Sequence, residues 1–160
     1  MKITLELARH LREVYFGGNW TDSDLKSQLE GIKWEHANTK IIGYNTLVAL
    51  VFHMTYYIRV MFAALKNGRL EGKDRDSFDH PPINSQKDWE MFLEQNWQDA
   101  EALAVAIAQF PEEKLGDRFF EDKYGSYYRN FQGIIEHCHY HLGQVALLKK
   151  AVLEADHGGG

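Results

Sequence analysis

The sequence predicts an all-α fold, a four-helix bundle with a long connection after its first helix. Apolar residues recur at three- and four-residue steps through four long segments, which is the periodicity of a helix face. Strict alternation of apolar and polar residues, the mark of a half-buried strand, is almost absent. Helices with one apolar stripe bury it against each other, so a bundle is the expected architecture.

Length and composition restrict the class of protein further. At 160 residues the chain is about one domain long. We expect that domain over residues 1–157, followed by a glycine tail at residues 158–160. The net charge of -5 excludes the cationic surface of a nucleic-acid binder. With 44% hydrophobic and 13% aromatic residues, the chain has too much apolar surface to remain disordered.

The first helix is predicted over residues 3–15, where leucines and other apolar residues share one face. The glycines at 17 and 18 end it, because glycine favours the conformations that terminate helices. A short helix is predicted within the following connection, over residues 25–32. Thr21 offers a hydroxyl cap for it, with a carboxylate three residues later, as in a capping box.

The second helix is predicted from residue 43 to the pair Asn67 and Gly68, which forms a C-cap. It includes an uncharged stretch, residues 41–58, that reaches the lower length limit for a membrane span. Polar residues interrupt this stretch, and no second stretch of this kind exists. We therefore expect a buried helix of a bundle and no membrane partner.

Two further helices complete the bundle. Residues 69–79 are charge-dense and nearly without apolar side chains, so they are predicted to form a linker. The third helix is predicted to follow Asn84 or Ser85 as its cap and to continue to Pro111. A loop rich in charged and aromatic residues precedes the fourth helix, which is predicted over residues 127–155.

The most informative stretch is residues 136–141, which hold three histidines within five positions. On a helix, His137 and His141 lie one turn apart on one face, as two metal ligands must, while His139 points away. On a strand all three would line one face. The helical interpretation is favoured because residues 143–150 continue the helical pattern without a break.

Two helical histidines make an incomplete site, since a catalytic zinc centre usually has three protein ligands. His53 lies in the middle of the second helix, on a surface that is otherwise apolar. A lone histidine there would be read as a core residue with a hydrogen-bond partner. The pair on the fourth helix favours a third ligand instead, because facing helices lie about 8–10 Å apart and two imidazoles span that distance.

The sequence gives less support to two other kinds of site, a di-iron centre and a cysteine nucleophile. Glu136 and His139 form half of the E-x-x-H pattern of di-iron carboxylate proteins, but the second half is missing. Cys138 is the one cysteine, so no internal disulfide is possible. The absence of a secretory leader also predicts a cytoplasmic protein. We expect Cys138 to be a small packing residue and not a nucleophile.

Residues 127–144, YYRNFQGIIEHCHYHLGQ, together with the earlier VFHM at residues 51–54, resemble the DinB/YfiT-like superfamily. In that family a final helix carries H-x-x-x-H followed by x-G-Q, and an earlier helix supplies the third histidine. The resemblance implies that His53, His137 and His141 bind a divalent metal, zinc or nickel most commonly. It also implies a four-helix bundle that forms homodimers.

Characterised relatives include thiol-dependent transferases and isomerases. The resemblance thus implies a metal-dependent transferase, in which a low-molecular-weight thiol attacks a small electrophile. The alternatives are a hydrolase that activates water with the same metal and a metal-binding or structural dimer without turnover. Groups that would contact the ligands or the substrate are Glu136, Gln144, Tyr44, Tyr56 and Tyr57.

Overall fold

The computed structural model describes residues 2–157, and across them the chain is all-helical. Its α-helices are α1 (Ile3–Phe16), α2 (Leu25–Leu29), α3 (Trp34–Asn38), α4 (Leu47–Asn67), α5 (Gln86–Gln109) and α6 (Tyr127–His157). Short 3-10 turns occur at Asp74–Asp76, Glu112–Lys114 and Asp122–Tyr124. Within residues 2–157 no strand forms, although Arg118 and Ser126 make an isolated antiparallel bridge. The glycine tail predicted at residues 158–160 lies outside the described residues.

The four long helices pack in a closed ring. α1 contacts α5, α5 contacts α4, α4 contacts α6, and α6 returns to α1. The core lies inside this ring, and its largest fully buried side chains include Tyr15, Met54, Ile58, Trp89 and Phe131. The long connection after α1 is itself folded, because α2 packs on α1 and α6 while α3 packs on α4 and α5.

Capping interactions set the ends of the helices. Thr46 starts α4 by accepting a hydrogen bond from the backbone N–H of Ala49 at 3.1 Å. Gly68 ends the same helix in the left-handed conformation, at a φ of 67°. The short helix α2 is capped by Asp24 and not by the predicted Thr21. The hydroxyl and the backbone N–H of Thr21 instead donate to Oδ1 of Asn19, at 2.6 Å and 2.9 Å.

Helix α4 is the most apolar element of the fold. Among residues 2–157 it is the one helix long and apolar enough to cross a membrane, with a mean hydropathy of 1.6 over 18 residues. Of that window, 67% is buried inside the protein. In this structure α4 is therefore a core helix, which agrees with the interpretation from the sequence.

The predicted linker after α4 folds back onto that helix. The hydroxyl of Tyr56 accepts from the backbone N–H of Lys73 at 2.7 Å and lies 3.1 Å from its carbonyl oxygen. The hydroxyl of Tyr57 donates to a carboxylate oxygen of Asp74 at 2.8 Å. Gly72 lies so close to α4 that a Cβ there would be 2.9 Å from a methyl group of Val60. These contacts place the linker beside His53.

Candidate metal centre

Three histidines meet between α4 and α6. His137 and His141 lie one turn apart on α6, and His53 reaches them from α4. One ligand nitrogen from each lies within 4.8 Å of the other two. Because α6 is continuous through this segment, the helical interpretation is confirmed and the strand-like cluster is excluded. The predicted triad is thus close enough to hold a metal ion.

The closest approach within the triad fits metal coordination. Nε2 of His53 and Nε2 of His137 are 3.1 Å apart. Two nitrogens that each lie about 2.0–2.1 Å from a tetrahedral zinc ion are about 3.3 Å apart. Imidazole nitrogens are also the donors that zinc and nickel accept readily. Both the donor set and this spacing therefore suit a divalent transition metal.

Hydrogen bonds on the far side of two rings fix their tautomers. The hydroxyl of Ser77 donates to the backbone carbonyl of Asp74 at 2.7 Å, so it accepts from Nδ1 of His53 at 3.1 Å. Nδ1 of His141 likewise donates to Oε1 of Gln144 at 2.7 Å. A proton on Nδ1 leaves the lone pair on Nε2, and such contacts orient metal-binding histidines.

His137 lacks a contact of this kind. Its Nδ1 is buried and has no hydrogen-bond partner among residues 2–157. A buried polar nitrogen without a partner costs about 1–3 kcal/mol. Its Nε2 faces the lone pair on Nε2 of His53, and two facing lone pairs repel unless a proton or a cation lies between them. A cation between the two Nε2 atoms would remove this repulsion, which fits a binding site, whereas Nδ1 of His137 would still have no partner among residues 2–157.

Burial keeps the triad neutral. It lowers the pKa of His137 to about 4, with further lowering by His141 and His53. Burial also lowers the pKa of His53, helped by His141, and it lowers the pKa of His141. Desolvation has this effect because it disfavours the charged imidazolium. At neutral pH the rings therefore have the lone pairs that metal binding requires.

Aromatic side chains pack against the three histidines. Phe78 stacks on His53, with ring centroids 4.1 Å apart and an interplanar angle of 10°. Tyr57 packs edge-on against both His53 and His137, at centroid distances of 5.2 Å and 4.9 Å. Tyr140 packs against His141 at 4.9 Å. Phe78 and Tyr140 are themselves 42% and 66% exposed, so these rings cover the histidines only in part.

Ser77 and Phe78 were not among the predicted site residues. Both belong to the segment that was predicted to be a linker, and no pattern in the sequence of that segment predicts a contact with α4. Phe78 is a large apolar residue within a charge-dense run, and that contrast was the available signal. Of the proposed contact groups, Gln144 and Tyr57 touch the triad.

The structure does not bring the other candidates to the triad. Glu136 is exposed and accepts from Nη1 of Arg129 at 3.1 Å. Tyr44 is 63% exposed, and Tyr56 bonds the linker backbone. His139 lies away from the triad and lines a separate groove, between α1 and α6, together with His10.

Cys138 is fully buried in the core of the ring. Its Sγ lies 3.9 Å from the hydroxyl of Tyr15, and burial raises the pKa of the thiol to about 12. Thiolate is the reactive form, so this cysteine is not a nucleophile at neutral pH. Cys138 is a packing residue of the core, as predicted.

A groove opens onto the triad at His137. Its volume is about 750 Å³, and its walls come from α4, the linker, the loop before α6, and α6 itself. A volume of this size is within the range of small-molecule sites.

Comparison with known proteins finds no match for this chain among family models, curated proteins or solved structures. The geometry of the site is therefore the basis for any functional conclusion.

Proposed function

We propose that this chain is a metalloprotein of the DinB/YfiT type, a four-helix bundle that binds zinc or nickel through His53, His137 and His141. The observation that carries the proposal is the meeting of three neutral imidazoles, with ligand nitrogens within 4.8 Å of one another. The helix order and the H-x-x-x-H spacing on the last helix support the family assignment.

We infer that the centre is catalytic, acting as a transferase that joins a low-molecular-weight thiol to a small electrophile. In the described part of the chain no fourth histidine, cysteine or carboxylate joins the cluster. Structural zinc sites are closed by four protein ligands, whereas catalytic sites have three. A divalent ion held here would supply a Lewis acid that favours the ionised form of a thiol.

The residues around the triad have distinct roles in this proposal. Ser77 and Gln144 hold the rings of His53 and His141 with the Nε2 lone pairs available. Phe78 and Tyr57 keep water from one side of the histidines. The groove at His137 admits the small molecule.

Metal content per chain tests the centre. We expect near-stoichiometric metal by plasma mass spectrometry for untagged wild type, and loss of it in His53→Ala, His137→Ala and His141→Ala. His139→Ala is the matched control, since it removes an imidazole from the same helix at a position outside the triad. Metal-free wild type after reconstitution with zinc and nickel, or loss of metal in the control alone, would contradict the proposal.

Two further measurements separate the possible activities. For a transferase, conjugation of 1-chloro-2,4-dinitrobenzene should require both the metal and an added thiol, with chelator-treated protein as the control. Metal-dependent cleavage of a nitrophenyl ester without any thiol would identify a hydrolase instead. Azide should change the absorption of cobalt-substituted protein, because a three-ligand centre accepts an added ligand; an unchanged spectrum would indicate a closed, non-catalytic site.

A further inference from the structure

The groove at His137 combines an apolar wall with charged side chains. The apolar part includes Val60, Met61, Leu70, Phe119 and Ile134. Most of the charged groups in the walls are already engaged. Asp74 accepts from Tyr57, Asp122 accepts from Arg118 at 3.1 Å, and Lys123 pairs with Glu121 at 3.1 Å.

Arg129 is engaged through one nitrogen of its guanidinium. Nη1 of its guanidinium bonds Glu136 at 3.1 Å. Within residues 2–157 its other side-chain N–H groups have no partner. A guanidinium has five such donors, arranged to match the two oxygens of a carboxylate. Arg129 therefore retains the capacity to bind an anion in the groove.

Gly133 lies beneath this guanidinium, in the same groove as His137. A Cβ at position 133 would be 3.3 Å from Nη1 of Arg129, so the side chain lies along α6 over the glycine. His137 follows four residues later, about 6 Å further along the helix axis. Glycine within a helix is about 1 kcal/mol less favourable than alanine, but here it makes room for a cation near the metal ligands.

We propose that this groove is the substrate pocket of the metal centre and that Arg129, extended over Gly133 and held by Glu136, binds the carboxylate of a small, apolar-bodied substrate. The inference rests on the function proposed above. A monoanion suits the pocket better than a phosphate dianion, because Asp74 and Asp122 also line the walls and would repel additional negative charge. Glu136 thereby acts through Arg129 and not on the metal.

Chemical-shift titration of isotope-labelled protein tests the pocket. The probes are 3-phenylpropanoate, the matched alcohol 3-phenylpropan-1-ol, and phenyl phosphate. For wild type we expect shifts around residues 125–137, with the carboxylate bound more tightly than the other two. Arg129→Gln should weaken the affinity for the carboxylate at least tenfold, while the affinity for the alcohol should change less than twofold. Gly133→Leu should weaken both, since its side chain displaces the guanidinium and fills the groove.

Two variants serve as controls. Arg9→Gln removes another arginine that pairs with glutamates of its own helix, outside this groove. Gly143→Leu adds the same side chain elsewhere on α6, where a Cβ meets nothing within 4 Å. Both should bind all probes like wild type.

The outcomes distinguish the pocket from the metal centre. Equal carboxylate binding in Arg129→Gln, shifts outside the groove, or tighter binding of phenyl phosphate would overturn this inference. If the protein contains stoichiometric metal but binds none of the probes, the proposed substrate pocket is wrong and the proposed metal centre is not affected. Carboxylate binding that depends on Arg129, in a protein that takes up no metal, would support the pocket and overturn the proposed metal function.

Discussion

Ser77 accepts a hydrogen bond from Nδ1 of His53 at 3.1 Å, and this contact joins the connection between α4 and α5 to the histidine triad. The serine is almost fully buried, at 1% exposure, and its own proton goes to the backbone carbonyl of Asp74. The orientation of His53, a proposed metal ligand on α4, thus depends on the position of the segment that follows the helix.

Removal of this contact should weaken metal binding. Ser77→Ala leaves Nδ1 of His53 without its acceptor, and loss of such an orienting contact typically weakens metal affinity by about 10–100-fold. Competition with a chromophoric chelator would measure the change. Ser27→Ala, at an exposed position on α2, is the control and should bind metal like wild type. An affinity for Ser77→Ala within twofold of wild type would show that Ser77 does not orient the ligand.

The contact between Gln144 and His141 permits a test of charge. Gln144→Leu removes the acceptor for Nδ1 of His141 and should weaken metal binding by about 10–100-fold. Gln144→Glu retains an acceptor of the same length and adds a negative charge, which raises the basicity of the ring. We expect it to bind metal at least as tightly as wild type. If both variants lose metal affinity equally, the effect of Gln144 on metal binding comes from its packing and not from the hydrogen bond.

Acid should destabilise the metal-free protein through His137. Its pKa is about 4 in the folded chain, against 6.5 for the ordinary side chain, so between these values the unfolded state binds more protons. Stability should then fall as pH decreases from about 6.5 to 4, and this group should contribute about 1–3 kcal/mol, because partial exposure to solvent reduces the full effect. Burial also lowers the pKa of His53 and His141, and these groups act in the same direction.

Urea unfolding of metal-free wild type and His137→Gln at pH 7.5, 5.5 and 4.5 would measure this effect. The wild type should lose more stability than the variant over the acidic range, because the variant lacks the imidazole of His137 and retains only the smaller effects of His53 and His141. Parallel pH profiles would show that His137 protonates normally in the native state.

Gly72→Ala should detach the linker from α4. The added Cβ would lie 2.9 and 3.0 Å from the two methyl groups of Val60, closer than such contacts allow. We expect faster tryptic cleavage after Lys73 and Arg75, and weaker metal binding because Ser77 shifts with the linker. The double variant Gly72→Ala, Val60→Ala should restore both properties by making room. Gly116→Ala, where a Cβ meets nothing within 4 Å, is the control. Unchanged cleavage would show that the linker adjusts without detaching.

Local patterns in the sequence were sufficient for the long helices and for the triad. The apolar periodicity located α1, α4, α5 and α6, and the one-turn spacing of His137 and His141 followed from the geometry of a helix. Glu136 is adjacent to His137 in sequence, but successive helical residues are about 100° apart, so it points elsewhere. That rotation could have been anticipated.

The parts that escaped prediction depend on contacts between distant segments. Helix α3 has five residues, too few for a periodic signal. The charged linker lies against α4 because Tyr56 and Tyr57 bond Lys73 and Asp74, 17 residues later, and composition does not reveal such pairs. The contributions of Ser77 and Phe78 to the site follow from this docking.

The distribution of the histidines over two helices links the site to the physics of the unfolded chain. His53 and His137 are 84 residues apart in sequence, so an ion shared by them would close a loop of that length between α4 and α6. By the loop-entropy relation used for disulfides, such a closure is worth about 4–5 kcal/mol if it persists in the unfolded state. A non-native pairing of His137 and His141 with an ion would close almost no loop. The ion would thus act as a reversible cross-link, and the concentration of free metal would set the fraction of chains that contain it.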